Sequence, residues 1–112
     1  MKLLQTKQCK TCPWKLSTTV VDIPHYDRTR HENLIDTIAD ETGNLSGINS
    51  PIKIMACHHS IDGKEYECIG WLYNQLGSGN HIPLRMEMML CSNANKIEVD
   101  GEQKDTFDET FI

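Results

Sequence analysis

Cys9-Lys10-Thr11-Cys12-Pro13-Trp14 is the stretch from which the fold of this chain can be worked out. Two thiolates separated by two residues can turn back on a single ion, and the backbone N–H groups between them can hydrogen-bond the sulfurs. A second pair of thiols, Cys57 and Cys68, lies in the middle of the chain, separated by ten residues. We predict that the chain folds around one metal ion or cluster bound by both pairs.

The candidate ligands are four thiolates, the number that a closed tetrahedral site uses: Cys9, Cys12, Cys57 and Cys68. His58 is an alternative, either as the third ligand in place of Cys57 or as a residue that orients a thiolate, because adjacent residues of a strand point to opposite faces. For His59 and His81 we expect solvent-facing or helix-capping positions. Cys91 is expected to be a buried core thiol.

The identity of the metal stays open at this point. We favour Zn²⁺, because structural zinc is common in small cytosolic domains and needs no assembly machinery. The alternative cofactor is a 4Fe–4S cluster, since four cysteines can hold one and a proline after a ligand cysteine, as in Cys12-Pro13, also occurs in ferredoxin-type runs. With that cluster the protein would be a redox sensor.

Length and charge limit the possible classes of protein. The 112 residues suffice for one domain, and the net charge of −5 is concentrated at the C-terminus, where residues 96–112 carry six carboxylates against two lysines. We therefore predict a metal-binding α+β domain at residues 1–95 and an acidic tail at 96–112, either disordered or an edge strand. The absence of a Lys/Arg stripe argues against direct binding of nucleic acid.

The start of the chain, Met1-Lys2-Leu3-Leu4-Gln5-Thr6-Lys7, lacks a secretory apolar region, and no apolar run approaches the roughly 20 residues that cross a bilayer. We expect a cytoplasmic protein with no membrane partner, in the bacterial host cytoplasm if it is phage-encoded. In that reducing compartment clustered cysteines favour metal over disulfides.

The predicted fold class is α+β: a small metal-centred domain of two to three helices with short strands and irregular loops. A capping-box pattern at residues 29–32 predicts a helix that ends at Gly43. Residues 52–57 predict a short strand that delivers Cys57, residues 68–76 a second helix closed by Gly77, and a third helix begins after Asn80. The methionine run is expected to fill the core: Met86, Met88 and Met89.

The order of these motifs resembles a small cysteine-rich family, a domain of unknown function found in bacteriophages and actinobacteria. The resemblance lies in C-x2-C-P-W at the start, then Met55-Ala56-Cys57-His58, Cys68-x-Gly70-Trp71 and Pro83-Leu84-Arg85-Met86. A second histidine after Cys57, a longer loop before Cys68 and the acidic tail depart from the family pattern. The resemblance implies a joint Cys/His site and a phage or prophage origin, without an activity.

We expect no enzyme and assign no catalytic residue, because a closed structural zinc site leaves no position for an activated water. The first hypothesis is a phage-type protein that binds a host protein of unknown identity, in host takeover or anti-defence. Its acidic tail would imitate the charge of nucleic acid toward a basic partner.

The alternative is a ββα-metal or HNH-like nuclease with a zinc finger, in which His59 activates water and Asp62 or Asn74 helps to hold Mg²⁺. The missing second C-x2-C and the missing basic surface count against this alternative.

Overall fold

The computed structural model describes residues 2–40, 42–43, 53–60 and 63–112. Its helices are α1 (Arg28–Asn33), α2 (Ile69–Leu76) and α3 (Ile82–Met88), joined by short 3-10 helices at Val20–Asp22, Leu34–Thr37, Ala94–Lys96 and Asp108–Phe111. Strand pairing among the described residues consists of isolated bridges, Lys7 with Glu98, Lys15 with Gln103 and Ala56 with Glu67. This is the small α+β-like domain with irregular loops that the sequence predicts. Every helix in the described ranges is too short or too polar to traverse a bilayer.

Helix α1 differs from its prediction at both ends. It begins after Asp27, whose Oδ1 accepts hydrogen bonds from the backbone N–H groups of Thr29 and Arg30, so Asp27 is the N-cap and the predicted capping box at residues 29–32 is wrong. The helix ends at Asn33 instead of running to Gly43. The chain continues as the 3-10 helix Leu34–Thr37, and the carbonyl of Thr37 accepts a hydrogen bond from the Trp71 indole N–H at 3.0 Å.

Helices α2 and α3 have the predicted positions. Helix α2 begins after Cys68 and ends at Gly77, whose N–H bonds to the last carbonyls of the helix. Helix α3 begins after His81, and the Nδ1 atom of His81 accepts a hydrogen bond from the Leu84 N–H at 3.1 Å. The predicted capping role of His81 is therefore confirmed. The deciding signals, a glycine after one helix and Pro83 in the first turn of the next, are local in the sequence.

The core forms where α2 packs against the turn that follows Cys12. Trp14, Trp71, Leu72 and Leu84 are its largest fully buried apolar side chains. Gly70 permits this packing, because a Cβ at that position would lie 2.6 Å from the Trp14 Cβ and 2.7 Å from the Cys12 Sγ. The helix that carries Cys68 can thus approach the first cysteine pair closely.

The C-terminal segment, residues 96–112, packs into the same core. Phe107, Lys104 and Thr110 are buried, and the Lys104 N–H donates to the Trp14 carbonyl at 2.8 Å. The sequence suggested a disordered tail here, because carboxylates dominate its composition, or an edge strand at residues 97–99, where the structure has the bridge between Lys7 and Glu98. Those carboxylates point outward, while single apolar and long amphipathic side chains point inward.

The methionine run is split between core and surface. Met88 is buried, as predicted, but Met86 is 65% exposed and Met89 is 84% exposed. The core prediction for these two residues is wrong, since the face of α3 that carries Leu84 and Met88 is turned inward and a helical period of 3.6 residues places the other two elsewhere. Cys91 is half-buried rather than fully buried.

Candidate metal centre

Two β-turns face each other at the candidate site. In the first, the Cys12 N–H donates to the Cys9 carbonyl at 3.3 Å, so the C-x2-C step forms the expected tight turn. In the second, the Ser60 N–H donates to the Cys57 carbonyl at 2.9 Å. The sequence predicts a strand for residues 52–57; of these the structure describes 53–57, where the pairing is the bridge at Ala56. Because the residues after Cys57 form a turn, the rule that adjacent side chains of a strand point to opposite faces does not apply to Cys57 and His58.

The second cysteine pair is brought together by antiparallel pairing. The Cys57 N–H donates to the Tyr66 carbonyl and the Cys68 N–H donates to the Met55 carbonyl, both at 2.8 Å, on either side of the Ala56 bridge. Cys57 and Cys68 are thus diagonal neighbours on one face of the pair. The ten residues between them are a hairpin-like excursion, of which Ile61 and Asp62 lie outside the described residues.

The four predicted ligand cysteines contact one another pair by pair. The Sγ atoms of Cys12 and Cys68 are 3.6 Å apart, and the thiol of Cys9 interacts with those of Cys12 and Cys57. The sulfurs therefore follow one another in the order Cys57, Cys9, Cys12, Cys68. All are free thiols; Cys9 is half-buried and the other three are buried. The assignment of these four as ligands of one ion stays a prediction.

Protons are shared unequally along this chain of sulfurs. Hydrogen bonding with Cys68 and Cys9 lowers the pKa of Cys12 to about 3, and hydrogen bonding with Cys9 lowers the pKa of Cys57 to about 6. The single proton of the Cys9 thiol can serve only one of these two sulfurs at a time. The pKa values of Cys9 and Cys68 are raised, chiefly because their thiols donate to these neighbours. Cys12, which has two thiol neighbours, is therefore the sulfur most favoured as a thiolate, the form of cysteine that binds metal.

Backbone N–H groups also point at three of the sulfurs. The N–H groups of Trp14, His59 and Trp71 lower the pKa values of Cys12, Cys57 and Cys68, respectively. Such bonds stabilise negative charge on sulfur and orient it toward a bound ion. A sulfur-rich donor set with imidazoles nearby suits zinc or an iron–sulfur cluster better than Mg²⁺ or Ca²⁺.

Both histidines of the second turn lie beside Cys9. The Nε2 atom of His58 is 3.7 Å from the Cys9 Sγ and 2.8 Å from the Thr11 Oγ1, and the Nε2 atom of His59 is 3.1 Å from the same hydroxyl. The ligand atoms of Cys9, His58 and His59 all lie within 4.8 Å of one another, so this group could hold a metal ion. His59 is exposed, as expected, yet its Nε2 atom lies with the candidate ligands.

The predicted alternative ligand, His58, thus lies beside the thiols. Partial burial is the main cause that lowers its pKa, which favours the neutral imidazole that binds metals.

A buried cation lies beneath the site. Lys104 is 4% exposed, and its ammonium donates to the Thr18 carbonyl at 2.8 Å. Burial lowers the pKa of Lys104, while the negative charge of Cys12 opposes this shift. No sequence pattern identifies Lys104 as part of the site. It lies in an acidic segment, and the packing of that segment on the core is visible only in the tertiary structure.

Of the residues that the nuclease alternative assigns to Mg²⁺, the structure describes Asn74. The amide of Asn74 donates to the Asp105 carbonyl at 2.8 Å and accepts from the Gln75 amide at 2.8 Å. Asn74 is buried and committed to these partners, and Asp62 lies outside the described residues. Asn74 therefore offers no free oxygen to a metal ion beside His59.

Comparison with protein-family models, with curated proteins and with solved structures found no match to this chain. Its function has to be argued from its own residues.

Proposed function

We propose that this protein is a zinc-stabilised domain that acts by binding a host protein, as a phage-type protein of host takeover or anti-defence. The observation that carries the metal part is the convergence of the four cysteines from a turn, a strand pair and a helix start. Zn²⁺ displaces the shared protons and closes a tetrahedral site with four sulfurs. Structural zinc supplies about 10–16 kcal/mol of apparent binding energy, comparable with the typical net stability of a domain, about 5–15 kcal/mol.

The metal holds the fold in this proposal, and the surface carries the function. Three of the four sulfurs are buried, which suits a closed site without a coordinated water. The C-terminal segment displays exposed carboxylates on a backbone anchored in the core: Glu98, Asp100, Glu102, Asp105 and Asp108. A fixed array of negative charge favours a partner with a basic surface and accelerates its association.

Metal analysis tests the first half. Protein purified without added chelator should be colourless and carry zinc, and Cys12→Ser or Cys68→Ser should lower both zinc content and thermal stability. Cys91→Ser is the matched control, because its thiol donates to Asn93 Oδ1 away from the other four sulfurs. A brown preparation that contains iron and sulfide would instead support the redox-sensing alternative.

The second half calls for a binding experiment that leaves the fold intact. Removal of residues 96–112 would delete part of the core, so we favour the neutralising triple variant Glu102→Gln, Asp105→Asn, Asp108→Asn. The matched control neutralises three exposed carboxylates elsewhere, Glu32→Gln, Asp36→Asn and Glu87→Gln, which costs little stability because exposed ion pairs contribute little. Host proteins with basic surfaces, captured by the wild type, should be lost from the first variant, retained by the control and released by moderate salt. Equal capture by both variants would contradict the acidic surface.

The nuclease remains a second candidate only through His59, whose exposed imidazole lies in a metal-compatible group. Mg²⁺-dependent cleavage of branched DNA that is lost in His59→Ala would support it. Absence of cleavage by the wild type would exclude it.

A further inference from the structure

The four-thiolate zinc site of the proposed function leaves two metal-binding side chains beside it without a role as ligands. His58 and His59 occupy the two central positions of the turn from Cys57 to Ser60, and both are exposed. Their rings lie 4.4 Å apart between centroids, and both Nε2 atoms are directed at the hydroxyl of Thr11. The turn from Cys57 to Ser60 and the facing turn at Thr11 thus direct the Nε2 atoms of both imidazoles at the same point.

The hydrogen bonds to Thr11 direct both Nε2 atoms at one hydroxyl group. A threonine hydroxyl has a single proton to donate, so of the two Nε2 atoms in contact with it one accepts that proton and the other donates its own. The lone pair of the accepting nitrogen therefore points at the Thr11 hydroxyl, and an ion bound between the two turns would take the place of the hydroxyl proton. The second imidazole needs only the change of tautomer that metal-binding histidines commonly undergo.

Cys9 links this pair to the inner sulfurs. It is the only half-buried member of the four predicted ligands, and its Sγ lies 3.7 Å from the His58 Nε2 while its thiol interacts with Cys12 and Cys57 on the inner side. Among the described residues, the group whose ligand atoms all lie within 4.8 Å of one another is Cys9, His58 and His59. One sulfur therefore belongs to both sets of ligands.

Charge favours two ions over one. Four thiolates and one divalent zinc carry a formal charge of about −2, and a net charge held in a partly buried site is costly unless it is compensated. A second dication bound through neutral imidazoles and a shared thiolate removes this excess. Lys104 beneath Cys12 offers compensation on the inner side only.

We propose that this chain binds a second divalent ion of the zinc class at an outer site formed by His58, His59 and the Cys9 thiolate, which bridges the two ions. Three protein ligands and an exposed rim leave one coordination position open to a small ligand or to a side chain of a partner. This inference rests on the proposed function, because Cys9 can bridge two ions only if it is also a ligand of the inner zinc.

The test counts ions. Full-length protein is saturated with Zn²⁺, freed of excess and analysed by native mass spectrometry and by elemental analysis. We expect two ions per chain in the wild type and one in the double variant His58→Ala, His59→Ala, with an unchanged circular dichroism spectrum. His25→Asn is the matched control, because His25 is an exposed histidine with a positive φ that asparagine tolerates, and it should keep both ions.

The outcomes separate this inference from the proposed function. A single ion that survives in the double histidine variant and is lost in Cys12→Ser would overturn the outer site and leave the zinc-stabilised domain standing. Two ions in the double histidine variant would also overturn the outer site. A wild type that binds one ion through the histidines, or none at all, would overturn both proposals.

Discussion

The Sγ atoms of Cys12 and Cys68 lie 3.6 Å apart although 56 positions separate the two residues in the chain. Gly70 makes this distance possible, because helix α2 rests against the first cysteine turn at a point where any Cβ would clash with Trp14 and with the Cys12 sulfur. The same glycine therefore serves both the core and the candidate metal centre.

Gly70→Ala should separate α2 from the first turn. The added methyl group would meet backbone-anchored atoms at 2.6 and 2.7 Å, so we expect a loss of about 1–3 kcal/mol in the free energy of unfolding together with weaker zinc binding. Denaturant unfolding and zinc competition with a chelator measure the two effects. Tyr73→Ala, on the exposed side of the same helix, is the control and should leave zinc affinity unchanged. Unaltered zinc affinity in Gly70→Ala would contradict the proposed role of this contact.

Lys104→Met should weaken the metal centre from beneath. The variant keeps the length of the side chain but removes the buried positive charge near Cys12 and the hydrogen bond to the Thr18 carbonyl. We expect zinc affinity to fall about 10–100-fold, the usual effect of losing a group that supports metal ligands. Zinc competition with a chelator measures this change. Lys96→Met, at an exposed lysine of the same segment, is the control, and an equal loss of affinity in both variants would argue against a local role for Lys104.

Phe107→Ala should destabilise the whole domain. Phe107 is buried, and its ring lies 6.4 Å from that of Trp14, 5.6 Å from that of His31 and 5.2 Å from that of Phe111. Truncation of a buried phenylalanine costs about 3–5 kcal/mol, whereas Asp108→Asn on the exposed neighbour should change stability by no more than about 0.5 kcal/mol. Thermal unfolding at saturating zinc compares the two variants. A stable Phe107→Ala protein would mean that residues 96–112 form a dispensable tail.

His31 should make stability depend on pH near neutrality. Its Nε2 bonds to the Thr110 hydroxyl and its Nδ1 to the Tyr26 hydroxyl, both at 2.8 Å, and its ring stacks on Phe111. Burial lowers the pKa of His31, and the positive charges of Arg28 and Lys104 lower it further. Between this lowered pKa and the ordinary value near 6.5 the unfolded chain binds more protons than the folded one, so stability falls as pH decreases below about 6.5.

The measurement is the free energy of unfolding against pH at saturating zinc, for the wild type and His31→Gln. The variant should lose stability at neutral pH but show a shallower decline between about pH 6.5 and 5. Some slope should remain, because burial lowers the pKa of His81 as well. Parallel pH profiles for the two proteins would show that His31 does not contribute.

Much of this protein could be predicted from local sequence alone, because the signals act over a few residues. The C-x2-C step forms a turn by its own geometry, and α2 and α3 begin and end where a glycine, a proline and a capping side chain place their limits. The limits of α1 were not predicted correctly, and the 3-10 helix that follows it bonds through the Thr37 carbonyl to Trp71, 34 positions further along the chain.

The sequence by itself determined the four cysteines as candidate ligands and the positions of α2 and α3, because thiolate chemistry and helix termini are properties of neighbouring residues. Only the tertiary structure decided that the acidic C-terminal segment belongs to the core, that Lys104 lies beneath Cys12, and that two imidazoles meet the hydroxyl of Thr11. These relationships depend on how α2 packs against the first turn. Such packing is set by contacts between residues far apart in the chain, which no local sequence pattern indicates.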